Sequence, residues 1–330
     1  MKGRTMKKTI SVAVLGLALS AGAAMAADMA VKAPPAPATA PTSPWDVAFG
    51  SAVMTNYMFR GISQSANKAS LAAYTELRYN ANPNLQWYAA ISGESIDFPN
   101  HAAAEIDFYG GVRPTFGPLA LDLGAWYYYY PGGETFNGLD GPESCTNLFI
   151  TPLGGCNTIK GDLSFWEVYG HATYTFNDYV AAGANIFYSP SWLNSGAYGT
   201  YASGTLKLTA PSTWFPGGLG AYISGEAGYY WFGVTDSFYG NTFFPGGIQL
   251  PDYATWNVGL GFTYKVFTLD LRYWDTNLSK SNCDVLTSAQ TASFNAGAFS
   301  TTNTSGLQSD WCGSTFVAKF SIDTTLSALK

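Results

Sequence analysis

Segments in which apolar and polar side chains alternate recur along almost the whole chain after residue 44. In FWEVYGHATYTF (165–176), Trp166 and Val168 share one face and His171 lies on the opposite face. A period of two residues indicates a β-strand with one apolar face, and no helical spacing of three to four residues is sustained in this region. We count twelve such segments, at 45–59, 69–80, 84–98, 103–116, 119–130, 163–177, 178–190, 199–211, 217–233, 253–264, 266–276 and 314–326.

The links between these segments alternate in length. Short links lie at 80–84, 117–118, 177–178, 211–216 and 265, whereas mostly longer ones lie at 60–68, 98–103, 131–162, 190–199, 234–252 and 277–313. Outer-membrane barrels alternate in this way, with short turns in the periplasm and longer loops outside the cell. The pattern therefore predicts an all-β fold, an antiparallel transmembrane β-barrel with about twelve strands.

Aromatic residues near the ends of the apolar faces support a membrane location. The run GAWYYYYPGGE (124–134) turns tyrosines to both sides of one strand, which suits a wall between lipid headgroups and a lumen. A soluble β-sandwich or lipocalin-like barrel is the alternative, but charged residues make up only 12% of the chain, too few to cover its outside. The outward aromatics are Trp45, Trp87, Tyr127, Trp166, Tyr188, Trp231, Trp256 and Tyr264.

The N-terminal region has the features of an export signal. Basic residues from Lys2 to Lys8 precede an apolar run that ends in Ala24-Met25-Ala26, so residues 1–26 are predicted to be a cleaved signal peptide. Residues 27–44 are rich in alanine and proline and are predicted to be a flexible linker, followed by the barrel at 45–330. We therefore expect a location in the outer membrane of a Gram-negative bacterium, with both barrel termini in the periplasm.

The four cysteines fall into two of the longer loops. Cys145 and Cys156 lie in the loop at 131–162, and Cys283 and Cys312 lie in the loop at 277–313. Export implies an oxidising environment, so two disulfides are expected. Three connectivities are possible, and pairing within each loop needs the least displacement of the chain. None of the spacings fits a zinc site.

Charged residues of both signs lie on the polar faces and predict a watery or salt-bridged interior. They either form a selectivity lining or simply neutralise one another, and the sequence does not separate these hypotheses. The acidic excess predicts a weak preference for cations or neutral solutes if a pore is open. The predicted pore-lining residues are Arg60, Glu76, Arg78, Glu94, Glu105, Asp107, Arg113, Asp122, Glu167, His171, Lys207, Glu226, Asp270, Arg272, Lys319 and Asp323.

Arg60 differs from the others because it closes the first segment just before an outer loop. It could fold back over the lumen as part of a constriction. It could also be a strand-end residue that stacks on Tyr57 or Phe59 for structural reasons. Both interpretations stay open at the level of sequence, with the structural one favoured.

The histidines give no support for catalysis. His171 lies on the inward face without an activated serine nearby in the pattern, and His101 lies in a short outer loop. A lipid-hydrolysing barrel would need its catalytic group on the lipid side, so we expect no enzyme activity. We also expect no cofactor and no metal. The formal net charge of −6 and the lack of a basic stripe make nucleic acid an improbable partner.

Several motifs resemble those of the TorF family of porins, a group of bacterial outer-membrane proteins whose function is mostly unassigned. They are NYMFRGISQS (56–65), EIDFYGGVRPTFG (105–117), YYYYPGG (127–133) and LDLRYWDTNLS (269–279). The resemblance spans nearly the whole barrel. It implies a barrel and a pore-like role, and it supplies no substrate and no catalytic residue.

The predicted function is a porin-like channel for passive diffusion of small hydrophilic solutes or ions, with outer-membrane lipid as its surroundings. A barrel of about twelve strands encloses a narrower lumen than a general porin. The alternative is a non-conducting structural or adhesive barrel with disulfide-braced surface loops. The solute, the oligomeric state and the state of the lumen stay open.

Overall fold

The computed structural model describes residues 43–135 and 158–329. Its strands are β1 (Trp45–Met54), β2 (Met58–Phe59), β3 (Ile62–Ser63), β4 (Ser70–Asn82), β5 (Leu85–Glu94), β6 (Glu105–Phe116), β7 (Leu119–Tyr129), β8 (Phe165–Asn177), β9 (Val180–Ser189), β10 (Gly199–Thr209), β11 (Leu219–Phe232), β12 (Tyr253–Tyr264), β13 (Phe267–Thr276), β14 (Ser293–Phe294), β15 (Leu307–Gln308) and β16 (Thr315–Thr325). The α-helix α1 spans Lys280–Thr287. Short 3-10 turns occur at Trp192–Asn194, Ser212–Trp214, Pro216–Gly218, Ser237–Tyr239, Ala296–Ala298 and Ser327–Leu329.

Twelve of these strands form one closed antiparallel barrel. Each strand pairs with the next barrel strand along the chain, and β1 closes the barrel by pairing with both β4 and β16. Closure leaves no unpaired sheet edge, which a spanning sheet requires because hydrocarbon offers no hydrogen-bond partners. The predicted fold class is confirmed, and every predicted segment corresponds to one barrel strand.

The outer surface of the barrel is apolar and the inner surface is polar or aromatic. In the tyrosine run, Tyr127 and Tyr129 are each 42% exposed on the outside, whereas Tyr128 is completely buried. The predicted outward aromatics, from Trp45 to Tyr264, are all exposed. An apolar exterior with aromatic side chains towards its margins is typical of a lipid-facing band. Among the described residues, no helix has the length and apolarity needed to cross a membrane.

The two ends of the barrel differ, as the alternating link lengths predicted. One end of the barrel, here the termini end, is where β1 begins and β16 ends. It has short turns such as Gly117-Pro118 and Lys265-Val266. The opposite end, here the loop end, carries the connections at 55–69, 95–104, 130–164, 190–198, 233–252 and 277–314.

The first predicted strand, 45–59, is too long. The wall strand β1 ends at Met54, and residues 55–69, here the inward segment, contain the hairpin of β2 and β3. Arg60 and Gly61 form its turn and both have positive φ, of 47° and 85°. A two-residue hairpin turn with positive φ at both positions reverses the chain sharply. The chain therefore leaves the barrel wall after Met54, five residues before the end of the predicted segment at residue 59.

One predicted disulfide is present. Cys283 and Cys312 are bonded, which links α1 to the chain that leads into β16 and confirms the pairing within this loop. Cys145 and Cys156 lie outside the described residues, so their pairing stays a prediction. Likewise, the predicted signal peptide and nearly all of the predicted linker precede the described residues.

Candidate functional site

The structure places all the predicted pore-lining side chains on the inner side of the barrel. Most of them are buried, and the arginines among them form ion pairs with glutamates and aspartates of the same set, so parts of the inner wall are salt-bridged. Twelve of the sixteen separate into four groups. The groups are centred on Arg60, Arg113, Arg272 and the acidic residue Glu94.

The first group holds Arg60 inside the lumen. Its guanidinium donates two hydrogen bonds to the Glu167 carboxylate, at 2.8 and 2.7 Å, and another to the Tyr230 hydroxyl at 2.7 Å. The side chains of Arg60 and Glu167 are both completely buried. Tyr128 donates to the second Glu167 oxygen at 3.2 Å. Bidentate pairs of this kind fix orientation as well as charge.

Aromatic rings surround the same guanidinium. Its central carbon lies 4.3 Å from the ring centre of Phe187, 4.6 Å from Phe59 and 4.7 Å from Tyr201. Stacking of arginine on aromatic faces is favourable, more so where water is excluded. Arg60 thus stacks on Phe59, as the structural interpretation expected, but it does so within the lumen and not at the end of a wall strand.

The inward segment has further contacts on several sides. Tyr253 of β12 donates its hydroxyl to the backbone oxygen of Arg60 at 3.0 Å, and Tyr57 donates to Glu105 of β6. The backbone N–H of Ser63 donates to the oxygen of Trp311 in the loop before β16. The segment therefore fills the lumen beneath the loops, where it packs in a largely aromatic core.

A second group of charges lies on β4 to β7. Arg113 donates to both oxygens of Glu76, at 2.8 and 2.9 Å, and to Asp122 at 2.9 Å. Arg78 also pairs with Glu76, and the Arg113 guanidinium lies 3.5 Å from the ring centre of Tyr88. This group is a compact ion-pair network rather than a row of free charges.

A third group lies on β10 to β13. Arg272 donates to Asp270 at 2.9 and 3.0 Å, to Asn257 at 2.6 Å and to Ser224 at 2.8 Å. The Lys207 ammonium lies 4.2 Å from the ring centre of Tyr222, which in turn donates to Asp270. Both networks match the predicted salt-bridged interior.

The remaining residues of the predicted set occupy other parts of the inner wall. His171 has Nδ1 at 2.9 Å from the Asn185 side-chain oxygen. Glu226 accepts from Tyr201 at 2.9 Å, and Asp323 accepts from Tyr74 at 3.2 Å. Lys319 lies on the inner face of β16, at a position opposite Asp270 of β13.

The fourth group contains acidic residues only. Glu94, Glu105 and Asp107 are almost completely buried at the loop end, on the adjacent strands β5 and β6. One carboxylate oxygen from each lies within 4.8 Å of those of the other two. Within the described part of the chain, no ion pair reaches any of the three. The sequence identified these residues one by one, but not as a cluster.

An apolar cavity of about 70 Å³ lies at the loop end. Phe59 and Ile62 of the inward segment contribute to its lining, together with Leu286 of α1 and Trp311. The cavity joins residues from six connections, so no local sequence pattern could have predicted it. Its lining is mostly aromatic and aliphatic, in contrast to the charged inner wall of the second and third groups.

Comparison with protein families gives one similarity. Residues 38–149 match a family described as a bacterial protein of unknown function (Gcw_chp), which is less than half of the chain. The match does not confirm the TorF resemblance. No curated protein matches the chain.

Solved structures that resemble this chain include outer-membrane proteins. A loop-deletion mutant of OmpT from Vibrio cholerae is 11% identical, covering 86% of this chain and 100% of that one, with a TM-score of 0.35. LpxR from Salmonella typhimurium is 10% identical, covering 84% and 99%, with a TM-score of 0.37. A bacterial polysaccharide outer-membrane secretin is 8% identical, covering 85% and 97%, also at 0.37. At these values the likeness carries no conclusion about activity.

Proposed function

We propose that this protein is a channel in the Gram-negative outer membrane for small hydrophilic solutes or ions, closed by its inward segment in the conformation described here. The barrel termini would lie in the periplasm and the loop end outside the cell. The apolar exterior suits lipid, and the charged inner wall suits polar solutes better than apolar ones. The observation that carries the proposal is that the β2–β3 hairpin, which holds Arg60 inside the lumen, forms a sheet separate from the barrel wall.

The way in which the inward segment is attached supports a movable closure. Its strands β2 and β3 pair only with each other and form a sheet separate from the wall. The segment therefore leaves the lumen without breaking any strand pairing of the barrel. The contacts that must break include the hydrogen bonds of Arg60 with Glu167 and of Tyr57 with Glu105, together with the aromatic packing around the hairpin.

The proposal includes no enzyme activity. A lipid hydrolase would present its general base to the lipid side of the wall. His171 instead lies on the inner face. Its ring centre is 5.0 Å from that of Phe187, and its Nδ1 contacts Asn185. Phospholipid hydrolysis by the purified protein that disappeared in a His171→Ala variant would contradict this part of the proposal.

Single-channel recording of the purified full-length protein in planar bilayers tests the channel. Glu167→Gln leaves Arg60 unpaired in the closed position, so we expect the open probability to rise about tenfold or more. The matched control is Asp323→Asn, which also removes one inward carboxylate but contacts Tyr74 and Ser321 and not the inward segment. If Glu167→Gln fails to fold, the double variant Arg60→Gln/Glu167→Gln takes its place. It removes both buried charges together and also breaks the ion pair, so its open probability should exceed that of wild type.

A non-conducting structural or adhesive barrel is the second candidate. The burial and neutralisation of Arg60 favour it, because they describe a stable filling of the lumen. Absence of conductance steps from wild type, from Glu167→Gln and from the double variant, each verified as folded, would support this candidate and exclude the channel.

A further inference from the structure

Three buried carboxyl groups meet at the loop end without a positive partner. Glu94 and Glu105 are directly opposite each other on β5 and β6, and Asp107 is opposite Ser92 two residues further along. Like charges directly opposite in a sheet destabilise it, and burial strengthens their repulsion. The exposed fractions of the three residues are 2%, 1% and 0%, so water does not screen them.

The hydrogen bonds of this group identify which oxygens are free. Glu105 accepts from Tyr57 through one oxygen and from Tyr130 through the other. Asp107 accepts from Ser92 through Oδ2 at 3.1 Å. Both oxygens of Glu94 and Oδ1 of Asp107 are buried and accept no hydrogen bond in the part of the chain that the structure describes. Such unmade interactions in a buried polar group are costly.

We propose that Glu94, Glu105 and Asp107 together bind one divalent cation of the calcium class inside the barrel. Carboxylate oxygens are ligands for hard cations, and calcium accepts them at about 2.3–2.6 Å in flexible geometry. Oxygens on opposite sides of a shared calcium ion therefore stand at most about 5 Å apart. The three oxygens lie within 4.8 Å of one another, so one such ion can contact all of them.

The position of the site gives the ion a structural consequence. Glu94 is the last residue of β5 and Glu105 is the first of β6, so the ion joins both ends of the connection at 95–104. Tyr57 of the inward segment and Tyr130, just after β7, both donate to Glu105. A bound cation fixes the orientation of Glu105 and thereby supports the contact that holds Tyr57 inside the lumen. This inference does not depend on whether the barrel conducts.

Ion binding is measured directly on the full-length protein in detergent, without any conductance readout. The protein is unfolded in urea and refolded with EDTA or with CaCl₂, since a buried site exchanges slowly in the folded barrel. Bound calcium is then counted by elemental analysis after gel filtration, and the EDTA-refolded protein is titrated with CaCl₂ by calorimetry. Luminescence of Tb³⁺, excited through Tyr57 and Tyr130, reports the location of the ion.

The variant Glu94→Gln keeps the side-chain size and breaks no hydrogen bond seen in the described residues. We expect one calcium ion per wild-type chain and affinity weakened about tenfold or more in Glu94→Gln. Asp284→Asn is the control, because it removes a buried carboxylate far along the chain in α1 and should bind calcium as wild type does. If Glu94→Gln does not fold, Asp107→Asn takes its place.

Three outcomes would overturn the inference. The first is wild-type protein that retains no calcium by either refolding route. The second is equal affinity in wild type, Glu94→Gln and Asp284→Asn, which would locate the ion elsewhere. The third is magnesium binding tighter than calcium, which would exclude the calcium class.

Discussion

Arg60 and Glu167 are 107 positions apart in the sequence, yet their side chains form a bidentate ion pair inside the barrel. One partner lies on the turn of the β2–β3 hairpin and the other on the wall strand β8. The pair therefore links the segment that fills the lumen to the wall that surrounds it.

Loss of one partner should destabilise the folded barrel. Glu167→Ala leaves the Arg60 guanidinium buried with the Tyr230 hydroxyl as its one remaining hydrogen-bond acceptor among the described residues, so we expect a loss of about 3–5 kcal/mol in the free energy of unfolding. Urea unfolding in detergent micelles, followed by tryptophan fluorescence, measures it.

The double variant Arg60→Met/Glu167→Met is the control for this experiment. It removes both charges and retains much of the packing, so its stability should lie closer to that of wild type than to that of Glu167→Ala. A double variant that is less stable than Glu167→Ala would contradict the account of the pair as a mutually dependent unit.

A side chain at Gly61 should disrupt the hairpin turn. A Cβ atom there would lie 2.4 Å from Thr255 Oγ1 and 2.5 Å from Thr276 Cγ2, and φ is +85°. We expect Gly61→Ala to cost about 1–3 kcal/mol and to increase protease cleavage within the inward segment. Gly117→Ala is the matched control, because Gly117 also has positive φ but has no atom within 4 Å of the added Cβ. Equal effects of the two variants would refute the role of close packing at Gly61.

The barrel wall could be predicted from the sequence because each strand carries its own signal. Alternation within a strand decides which side chains face lipid, and it requires no knowledge of the neighbouring strands. The predicted segment 253–264 coincides with β12, and the predicted 163–177 differs from β8 by two residues at its start. Likewise, Trp166 and Glu167 fall on the expected opposite faces.

The interior could not be predicted to the same degree because its contacts join distant parts of the chain. Met58 and Phe59 are as apolar as the residues of a wall strand, so the first predicted segment extends to residue 59. The turn at Arg60-Gly61 lacks the Asn-Gly or Asp-Gly pair that marks most such turns. The cluster of Glu94, Glu105 and Asp107 required the register of β5 and β6, which depends on the length of the connection between them.

The loop helix α1 should respond to pH through Asp284. Burial raises the pKa of this carboxyl to about 7, from 3.8 when unperturbed. Between these values the folded helix binds a proton that the unfolded chain does not, so its stability falls as pH rises from 3.8 to about 7 and is level above that.

Hydrogen exchange of the α1 amides, corrected for the intrinsic effect of pH, measures this dependence. Asp284→Asn should abolish the dependence and give high protection at every pH, because an amide at this position carries no charge to bury. An unchanged dependence in Asp284→Asn would show that another group is responsible.

The Cys283–Cys312 disulfide should stabilise the loop that contains α1. The two residues are separated by 29 positions, and closure of a loop of that length corresponds to about 3–4 kcal/mol in the chain-entropy description. Replacement of both cysteines by serine should therefore make residues between them sensitive to protease, while the barrel strands keep their protection. Substitution is preferable to a reducing agent, which would also act on Cys145 and Cys156. Loss of protection across the whole barrel would contradict a local role.

Ion selectivity tests the charges of the inner wall once the lumen is open. Acidic residues outnumber basic ones in the predicted pore-lining set, and the second and third groups largely neutralise themselves. The excess of negative charge is concentrated at Glu94, Glu105 and Asp107, near the loop end.

We expect the reversal potential of Glu167→Gln channels in a KCl gradient to indicate a weak preference for K⁺. Added calcium should reduce this preference by neutralising the cluster. In Glu167→Gln/Glu94→Gln the preference should be smaller and the effect of calcium weaker, and a preference for Cl⁻ in either channel would refute the assignment of the excess charge to the conducting path.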